Sequence, residues 1–261
     1  MNVLVVDAGG THVKTLATGE GTSRMFPSGP TLTAKQMVCG VKKLARGWDY
    51  HVVSIGYPGP VLQGRPVAEP HHLGPGWVGF DFRKAFGRPV KVINDAAMQA
   101  LGSYKGGKLL FLGLGTGFGS AMVVDGIVEG MELGHLPYKG ATYSDYVGLR
   151  GLEKYGKRKW RLYVEDVVAR LIAALEPDDV VLGGGNVKEL EELPQGCRRG
   201  DNANAFLGGF RLWEQADRDA PHAAKGPFLV KTGGESCTDT AAPVGTGTQV
   251  RSKELEEIRR A

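Results

Sequence analysis

The chain begins with an apolar strand that ends in an acid and two glycines, and this arrangement restricts the folds it can adopt. Residues 3–6 (VLVV) have the pattern of a buried strand, Asp7 and the pair Gly9-Gly10 follow, and residues 12–18 have the pattern of a returning strand. Glycine at a hairpin tip readily supplies the positive φ of a tight turn. A β-hairpin with a bare backbone at its tip is therefore predicted.

The same arrangement recurs at residues 109–126, LLFLGLGTGFGSAMVVDG. An apolar strand enters the turn Gly115-Thr116-Gly117, a second strand leaves it, and the turn Asp125-Gly126 leads to a third strand. Between the two hairpins, strand patterns alternate with helix patterns, including a helix over residues 33–47 that opens with a Thr33/Gln36 capping box. This alternation predicts a sheet with parallel strands. We predict a degenerate internal duplication, each half beginning with a glycine-tipped hairpin.

The remaining elements suggest two lobes and a tail. A helix marked by apolar residues from Val164 to Leu175 stops at Pro177, VVLGGGN (180–186) is a strand that enters a third glycine turn, and residues 201–215 predict a last helix. From about Asp217 the apolar periodicity is lost. We therefore predict an N-terminal lobe over 1–106, a C-terminal lobe over 107–216 and a flexible tail over 217–261.

Composition excludes several classes of protein. The 261 residues include no apolar run near the ~20 that span a bilayer, so no membrane role is expected. The first residues lack the pattern of a secretory signal, which favours the cytoplasm. A net charge of +4 is too small to indicate nucleic acid, although it permits an anionic small substrate. The widely spaced Cys39, Cys197 and Cys237 suggest neither disulfides nor a zinc site.

The glycine turns admit two interpretations. Each could simply supply positive φ, but three of them end apolar strands and two carry threonine, and bare backbone N–H groups in a turn bind anions. The chain has no GxxxxGK[ST] motif, and GLGTGFG leads into a strand rather than a helix, which disfavours a dinucleotide fold. The remaining interpretation is a pair of phosphate-binding hairpins that face each other across a cleft, together with a third glycine turn.

Four segments carry a family resemblance. DAGGT, INDA, LGTGFGSA and VVLGGGN, in this order and spacing, resemble the two phosphate motifs, the catalytic segment and the adenosine motif of the actin/sugar-kinase/Hsp70 superfamily. ELGH at 132–135 is similar to the glutamate-glycine-histidine signature of ROK-family sugar kinases and repressors. The resemblance covers residues 3 to about 213. It implies an α/β protein with a two-lobed, duplicated ribonuclease-H-like (actin-like ATPase) fold and a cleft between the lobes.

The resemblance implies phosphoryl transfer from ATP or inorganic polyphosphate to the 6-hydroxyl of glucose or a related hexose. Two departures qualify it. LPYKGATYSDYVG stands where ROK proteins usually carry a cysteine-rich zinc motif, so no zinc is expected and the chain looks closer to zinc-free polyphosphate glucokinases. In PHHLGPGW, His72 stands where the family leads us to expect an asparagine of the sugar site, which leaves the choice between glucose and another hexose such as mannose open.

Within this frame Asp95 is the expected catalytic base. It lies where a strand meets a helix N-terminus, whose dipole favours the ionised form, although a helix N-cap would also explain an acid there. Asp7 is expected to hold Mg²⁺ through water, with a turn-forming aspartate as the alternative. The residues expected to bind phosphate or nucleotide are Asp7, Gly9, Gly10, Thr11, Lys14, Gly115, Thr116, Gly117, Gly183, Gly184, Gly185 and Asn186.

The sugar is expected to contact Asn94, Glu132, His135, Glu153 and His72. Glu132 and His135 could exchange hydrogen bonds with sugar hydroxyls, whereas a purely structural histidine and a solvated Glu153 are the alternatives. The basic run KYGKRKWR at 154–161 is either a solvated helix face or a docking path for a long polyanion.

A sugar sensor and a chaperone-like ATPase are the two other classes of protein that this resemblance allows. A non-catalytic sugar sensor of the ROK family remains the alternative, but the family's repressors carry helix-turn-helix units before the kinase fold, and here the first phosphate motif begins at residue 7. A chaperone-like ATPase would give no reason for ELGH. The expected partners are a hexose and ATP or polyphosphate, and a homodimer is left open.

Overall fold

Two five-stranded sheets form the framework in the computed structural model, which describes residues 1–201 and 203–214; the predicted tail over 217–261 lies outside them. The strands of the first sheet are β1 (Val3–Ala8), β2 (His12–Ala17), β3 (Arg24–Pro27), β4 (Val52–Tyr57) and β5 (Val90–Asn94). Those of the second are β6 (Lys108–Leu114), β7 (Phe118–Val124), β8 (Ile127–Met131), β9 (Asp179–Gly183) and β10 (Cys197–Arg199).

The two sheets have the same topology. The first runs in the order β3-β2-β1-β4-β5 and the second in the order β8-β7-β6-β9-β10. In each, the first three strands pair antiparallel and the last two join parallel to the first strand's free side. The predicted duplication and both glycine-tipped hairpins are therefore confirmed.

Six helices are described, and they follow the predicted order with some additions. Their bounds are α1 (Ala34–Leu44), α2 (Phe82–Phe86), α3 (Asp95–Ser103), α4 (Tyr143–Val147), α5 (Leu149–Leu175) and α6 (Asn204–Glu214). Short 3₁₀ turns occupy Leu133–His135 and Gly185–Glu189, and two-residue strands pair Val61–Leu62 with Arg65–Pro66 and Pro137–Tyr138 with Ala141–Thr142.

The predicted capping box of α1 is present. The side chain of Thr33 accepts a hydrogen bond from the Gln36 backbone N–H at 3.3 Å, and Gln36 Oε1 accepts one from the Thr33 N–H at 2.9 Å. The two bonds satisfy backbone donors at the helix N-terminus that have no intrahelical partner. They fix the start of α1, whose apolar face, including Met37 and Val41, is fully buried against the first sheet.

Helix α5 begins earlier than its apolar pattern predicts. It starts at Leu149, and Gly156, with φ 72° and ψ 162°, breaks it into two segments. Only the second segment contains the apolar run from Val164 to Leu175. The first segment, residues 149–155, carries three charged residues, two leucines and one tyrosine, too few apolar positions for periodicity to reveal it.

Helix α3 lies between the two sheets. Ala96, Ala97 and Ala100 pack with buried residues of β6 and β7, while Met98 packs with residues of β1 and β4. Its small alanines bring the helix close to the second sheet. The helix N-terminus therefore reaches the region where the ends of both sheets meet.

Helix α6 returns to the first half of the chain. A Cβ on Gly209 would lie 2.3 Å from Val5 Cγ1, and the Gly209 carbonyl accepts a hydrogen bond of 2.6 Å from Ser54 Oγ. The predicted boundaries at 106/107 and 216/217 stay predictions, but the last helix of the predicted C-terminal lobe packs on the first sheet. Within the described part of the chain, no helix combines the length and apolar content that a membrane span requires.

Candidate active site

A cavity of about 450 Å³ opens where the ends of the two sheets approach each other. It brings together the predicted catalytic base, residues predicted to bind phosphate and residues predicted to bind the sugar. The predicted residues that line it are Gly10, His72, Asn94, Asp95, Gly115, Thr116, Gly117, Glu132, His135 and Gly184. A larger cavity of about 1090 Å³ along β5 contains none of the predicted site residues. The smaller cavity is therefore the candidate active site.

Asp95 is the first residue of α3, and its neighbour Asn94 is the N-cap. Asn94 Oδ1 accepts a hydrogen bond of 3.1 Å from the Ala97 N–H, and its Nδ2 donates one of 3.1 Å to the Gly59 carbonyl. The capping role that sequence reasoning considered for Asp95 thus falls to Asn94. Asp95 itself accepts a bond of 2.8 Å from the Ala96 N–H and lines the cavity.

Burial and like charge raise the pKa of Asp95 to about 7. Although part of its surface opens to the cavity, the surrounding protein removes most of its solvation, and the charges of Asp7 and Glu132 add to the effect. Burial also raises the pKa of Asp7, while Lys14, its partner across the β1–β2 pair, lowers it. The site therefore contains an acid poised to exchange a proton near neutral pH.

The first glycine turn presents only Gly10 to the cavity. The turn is closed by a hydrogen bond of 3.1 Å from the Gly9 N–H to the His12 carbonyl, and Thr11 is exposed. A Cβ on Gly10 would lie 3.1 Å from His72 Cβ, so His72 covers this turn. The other predicted residues of this turn, Asp7, Gly9, Thr11 and Lys14, are not among the residues that line the cavity.

The second and third glycine turns are bound to each other. Asn186 Nδ2 donates a hydrogen bond of 2.8 Å to the Gly115 carbonyl, and the Leu149 N–H donates one of 3.1 Å to the same oxygen. Gly184 has φ +86°, and a Cβ there would lie 2.4 Å from the Leu114 carbonyl oxygen. Gly183, Gly185 and Asn186 do not line the cavity. Asn186 therefore supports the second turn from behind.

Glu132 precedes the 3₁₀ turn at the mouth of the cavity, and His135 is the last residue of that turn. His135 Nε2 lies 3.7 Å from Glu132 Oε2, and the two side chains are 74% and 49% exposed. Ser120 Oγ holds the turn by accepting a bond of 3.1 Å from the Leu133 N–H and donating one of 2.8 Å to the Met131 carbonyl. Both predicted sugar ligands therefore face the cavity with polar atoms open to solvent.

Glu153 is the one predicted sugar ligand that the structure places apart. It is exposed on the first segment of α5 and does not line the cavity. Its position agrees with the alternative of a solvated helix charge, which the sequence could not separate from a ligand without knowing where α5 begins.

Sequence reasoning missed several polar residues that line the cavity, among them Glu69, His71, Gln99 and Ser144. Gln99 follows Asp95 by four residues on α3, so helical spacing could have indicated it. Ser144 had no such signal. Its Oγ accepts a hydrogen bond of 3.2 Å from the Phe118 N–H and so connects the segment after His135 with the second glycine turn.

Among residues 1–201 and 203–214 no cluster of three or more histidine, cysteine or acidic side chains is arranged as a metal site. Asp95 and Glu132 line the cavity, and the charges of Glu132 and of Asp7, which lies outside the lining, both raise the pKa of Asp95. A cation at this place would therefore share its coordination with water or substrate oxygens, as Mg²⁺ commonly does.

Comparison with known proteins identifies the family and the fold of the chain. The ROK family matches residues 3–151. Polyphosphate glucokinase of Mycobacterium leprae is 30% identical over 174 residues, which are 61% of this chain and 52% of that protein. The crystal structure of the inorganic polyphosphate/ATP-glucomannokinase from Arthrobacter sp. strain KM has a TM-score of 0.69 at 22% identity and covers 82% of this chain and 99% of that one.

A second solved structure gives the same result for the fold. The ROK family glucokinase from Streptomyces griseus, in complex with glucose and AMPPNP, has a TM-score of 0.69 at 17% identity over 82% of this chain and 100% of that one. The two-lobed actin-like ATPase fold expected from the sequence is confirmed. The chain belongs to the ROK family. It spans about half the length of the Mycobacterium leprae relative.

The raised pKa of Asp95 predicts that this acid destabilises the fold at neutral pH. An aspartate whose pKa moves from an ordinary 3.8 to about 7 on folding binds its proton more tightly in the folded state. Stability should therefore fall as the pH rises from about 4 to about 7 and then level off. Asp95→Asn removes the charge and keeps an oxygen that can accept the Ala96 N–H.

We expect Asp95→Asn to raise the free energy of unfolding at pH 8 by on the order of 2 kcal/mol, with little gain near pH 4. Urea unfolding in a chelating buffer, without substrate, measures both values. Glu20→Gln removes an exposed carboxylate and is the control. Equal stability of Asp95→Asn and the native protein at pH 8 would show that Asp95 is not strained by its surroundings.

Proposed function

We propose that the protein is a sugar kinase that transfers a phosphoryl group from ATP or inorganic polyphosphate to the 6-hydroxyl of glucose or a related hexose. The observation that supports this most directly is the meeting of three groups in one cavity: Asp95 with a pKa of about 7, the bare turn at Gly115–Gly117, and the polar pair Glu132 and His135. Base, anion-binding turn and hydroxyl ligands are what hydroxyl phosphorylation requires.

Asp95 acts as the general base in this proposal. A base works best when its pKa lies near the working pH, because it is then both ionised and able to take a proton. Burial and the charges of Asp7 and Glu132 bring the pKa of Asp95 to about 7, which is in the range that suits a base at neutral pH. Asp95 would accept the proton of the sugar hydroxyl as the hydroxyl oxygen forms a bond to the transferred phosphorus. The bond from that phosphorus to the bridging oxygen of the donor breaks at the same time, which leaves ADP or a polyphosphate shorter by one phosphate.

The glycine turn at Gly115–Gly117 receives the donor phosphates. Gly115 has no positive φ, and the nearest atom to an added Cβ is the Gly117 carbonyl oxygen at 3.9 Å, so the space beside it is open. The Gly115 N–H donates to the Gly117 carbonyl at 3.1 Å, so phosphate oxygens would approach the N–H groups of Thr116 and Gly117, to which the two glycines leave access. The open space is therefore explained by the ligand rather than by packing.

Glu132 and His135 orient the sugar. Their exposed polar atoms can accept from, and donate to, neighbouring hydroxyls, which fixes the hexose relative to Asp95. His72, above Gly10, would contact the same ligand from the other side. Whether it favours glucose or mannose depends on which hydroxyl it meets, and the assay below includes both sugars.

Asp95, which lines the cavity, and Asp7, which lies near it outside the lining, fit a magnesium ion. Asp7 and Asp95 are both deprived of solvent, each with a raised pKa, and Asp95 is further raised by the charge of Asp7. A hard divalent cation held by Asp7 through water would relieve this repulsion. Mg²⁺ bound there supplies positive charge that neutralises the donor phosphates. Zinc is not needed in this proposal, and a hexose kinase of this kind would work in the cytoplasm.

The basic run on α5 is bonded to the segment that follows the third glycine turn. Lys157 Nζ lies 2.6 Å from Glu189 Oε2, and Arg161 Nη1 lies 2.6 Å from Glu191 Oε1. These ion pairs attach the basic run to the residues after the third glycine turn. Arg158 and Lys159 are exposed, and the structure records no ion pair for either among the described residues. A long polyanion that passes the glycine turns could reach them.

The proposal is tested by a coupled assay of the native protein with glucose, mannose and N-acetylated sugars, each with ATP and with polyphosphate. We expect Asp95→Asn to lower kcat at least ~10²-fold, because removing a positioned base has effects of this size, while glucose still binds in calorimetry. Asp125→Asn, at an exposed turn, is the control. Glucose binding without any turnover by the native protein would favour the non-catalytic sugar sensor.

Gly115→Val tests the donor turn. A β-branched side chain would occupy phosphate space without a clash in the free protein, so we expect the KM for ATP to rise at least about 10-fold, with a much smaller change for glucose. Gly21→Val, at an open and exposed glycine without positive φ, controls for stability. If both KM values rose equally, the turn would be a scaffold rather than a phosphate site.

The donor is tested by replacing Arg158 and Lys159 together with alanine. Because a long anion makes more screened contacts than ATP, we expect the KM for long polyphosphate to rise about 3-fold or more and to climb with salt, while ATP kinetics stay unchanged. Lys157 and Arg161 are left in place because their ion pairs support the fold. If polyphosphate kinetics were unchanged as well, the basic run would be an ordinary solvated helix face.

A further inference from the structure

The helix that begins with Asp95 is held at its other end by an arginine from α6. Arg211 Nη1 donates hydrogen bonds to three carbonyl oxygens at the end of α3: to Leu101 at 2.8 Å, to Gly102 at 3.1 Å and to Tyr104 at 3.0 Å. The last carbonyls of a helix have no intrahelical donor. A positive charge there also interacts favourably with the helix dipole.

A second arginine binds the Ser103 carbonyl, which is not among the three carbonyls that Arg211 bonds. Arg198, on β10 of the second sheet, donates through Nη2 to the Ser103 carbonyl at 2.7 Å. Its Nε and Nη2 also bond the carboxylate of Asp179 on β9, at 2.9 and 2.6 Å. The bidentate pair fixes the guanidinium plane, so Arg198 ties the end of α3 to the second sheet.

Glycines set the distance between α3 and α6. A Cβ on Gly102 would lie 1.8 Å from the Asn204 carbonyl oxygen, and one on Gly208 would lie 1.8 Å from the Met98 carbonyl oxygen. The two backbones are therefore in direct contact, and any other residue would push the helices apart. Asn204 Nδ2 adds a bond of 3.0 Å to Ser103 Oγ.

We propose that Arg198 and Arg211 are positioning residues that fix α3 along its axis and thereby hold Asp95 at the reacting hydroxyl. The inference rests on the proposed kinase function for its kinetic consequence. A nine-residue helix transmits a shift of its end to its start as a rigid body, and small misplacements of a catalytic group are costly. Neither arginine lines the cavity, so each acts on the reaction through the elements that it bonds: both through α3, and Arg198 also through Asp179 at the start of β9.

The experiment compares Arg198→Met and Arg211→Met with Arg199→Met. Arg199 is exposed and follows Arg198 on the same strand. Its side chain makes no hydrogen bond or ion pair with the residues that the structure describes, and it is therefore the matched control. We expect kcat to fall about 10-fold in each of the first two variants while the KM for glucose changes less than about 2-fold, because misplacement affects the reacting geometry more than binding. Arg211→Lys, which keeps a charged donor, should recover part of the lost kcat.

Hydrogen exchange gives a second readout that does not depend on activity. We expect faster exchange of the α3 amides in Arg198→Met and Arg211→Met, with unchanged exchange in β1 and β6. A lower melting temperature with unchanged kcat at 25 °C and unchanged α3 exchange would overturn the proposal, because the arginines would then be only structural. A native protein without kinase activity would reject the proposed function, whereas the exchange result would still decide whether the arginines hold α3.

Discussion

The structure depends on holding two solvent-deprived carboxylates, Asp7 and Asp95, near each other. Burial raises the pKa of both, and the charge of Asp7 further raises that of Asp95. Such an arrangement opposes folding and persists only when surrounding contacts fix it. Asp7 is fixed because β1 is the central strand of its sheet, paired on both sides. Asp95 is fixed because α3 is buried between the sheets and bonded at its far end by Arg198 and Arg211.

The duplicated fold places different chemistry at equivalent positions. Asp7 is the next-to-last residue of the first strand of the first sheet, whereas the first strand of the second sheet leads into the glycine turn from Gly115. The parallel strand β5 leads to Asp95, whereas β9 leads to Gly184. The first half thus brings Asp7 and Asp95, and the second half brings the glycine turns together with Glu132. The cavity between them is suited to a cation on one side and to phosphates on the other.

Local patterns predicted most of the framework because both hairpins and the capping box of α1 are determined by neighbours in sequence. The site residues with motifs, Asp95, Glu132 and the turn from Gly115, also meet in the cavity. Ser144 and Glu69 could not be predicted, because the turns that bring them to the cavity are set by tertiary contacts. Glu153, predicted as a sugar ligand, does not line the cavity. Its position could not be judged from the sequence, because no apolar pattern marks where its helix begins.

The segment after His135 shows how tertiary contacts replace a motif. Where ROK proteins usually carry cysteines, this chain packs tyrosines: Tyr146 stacks on Tyr155 with ring centroids 5.2 Å apart, and Tyr163 meets both edge-on. Tyr138 donates a hydrogen bond of 2.6 Å to Asp166 on α5. Aromatic pairs of this kind stabilise beyond their buried area. They attach the segment that carries Ser144 to both parts of α5, and so connect the side of the cavity that contains Glu132 and His135 to the helix that bears the basic run.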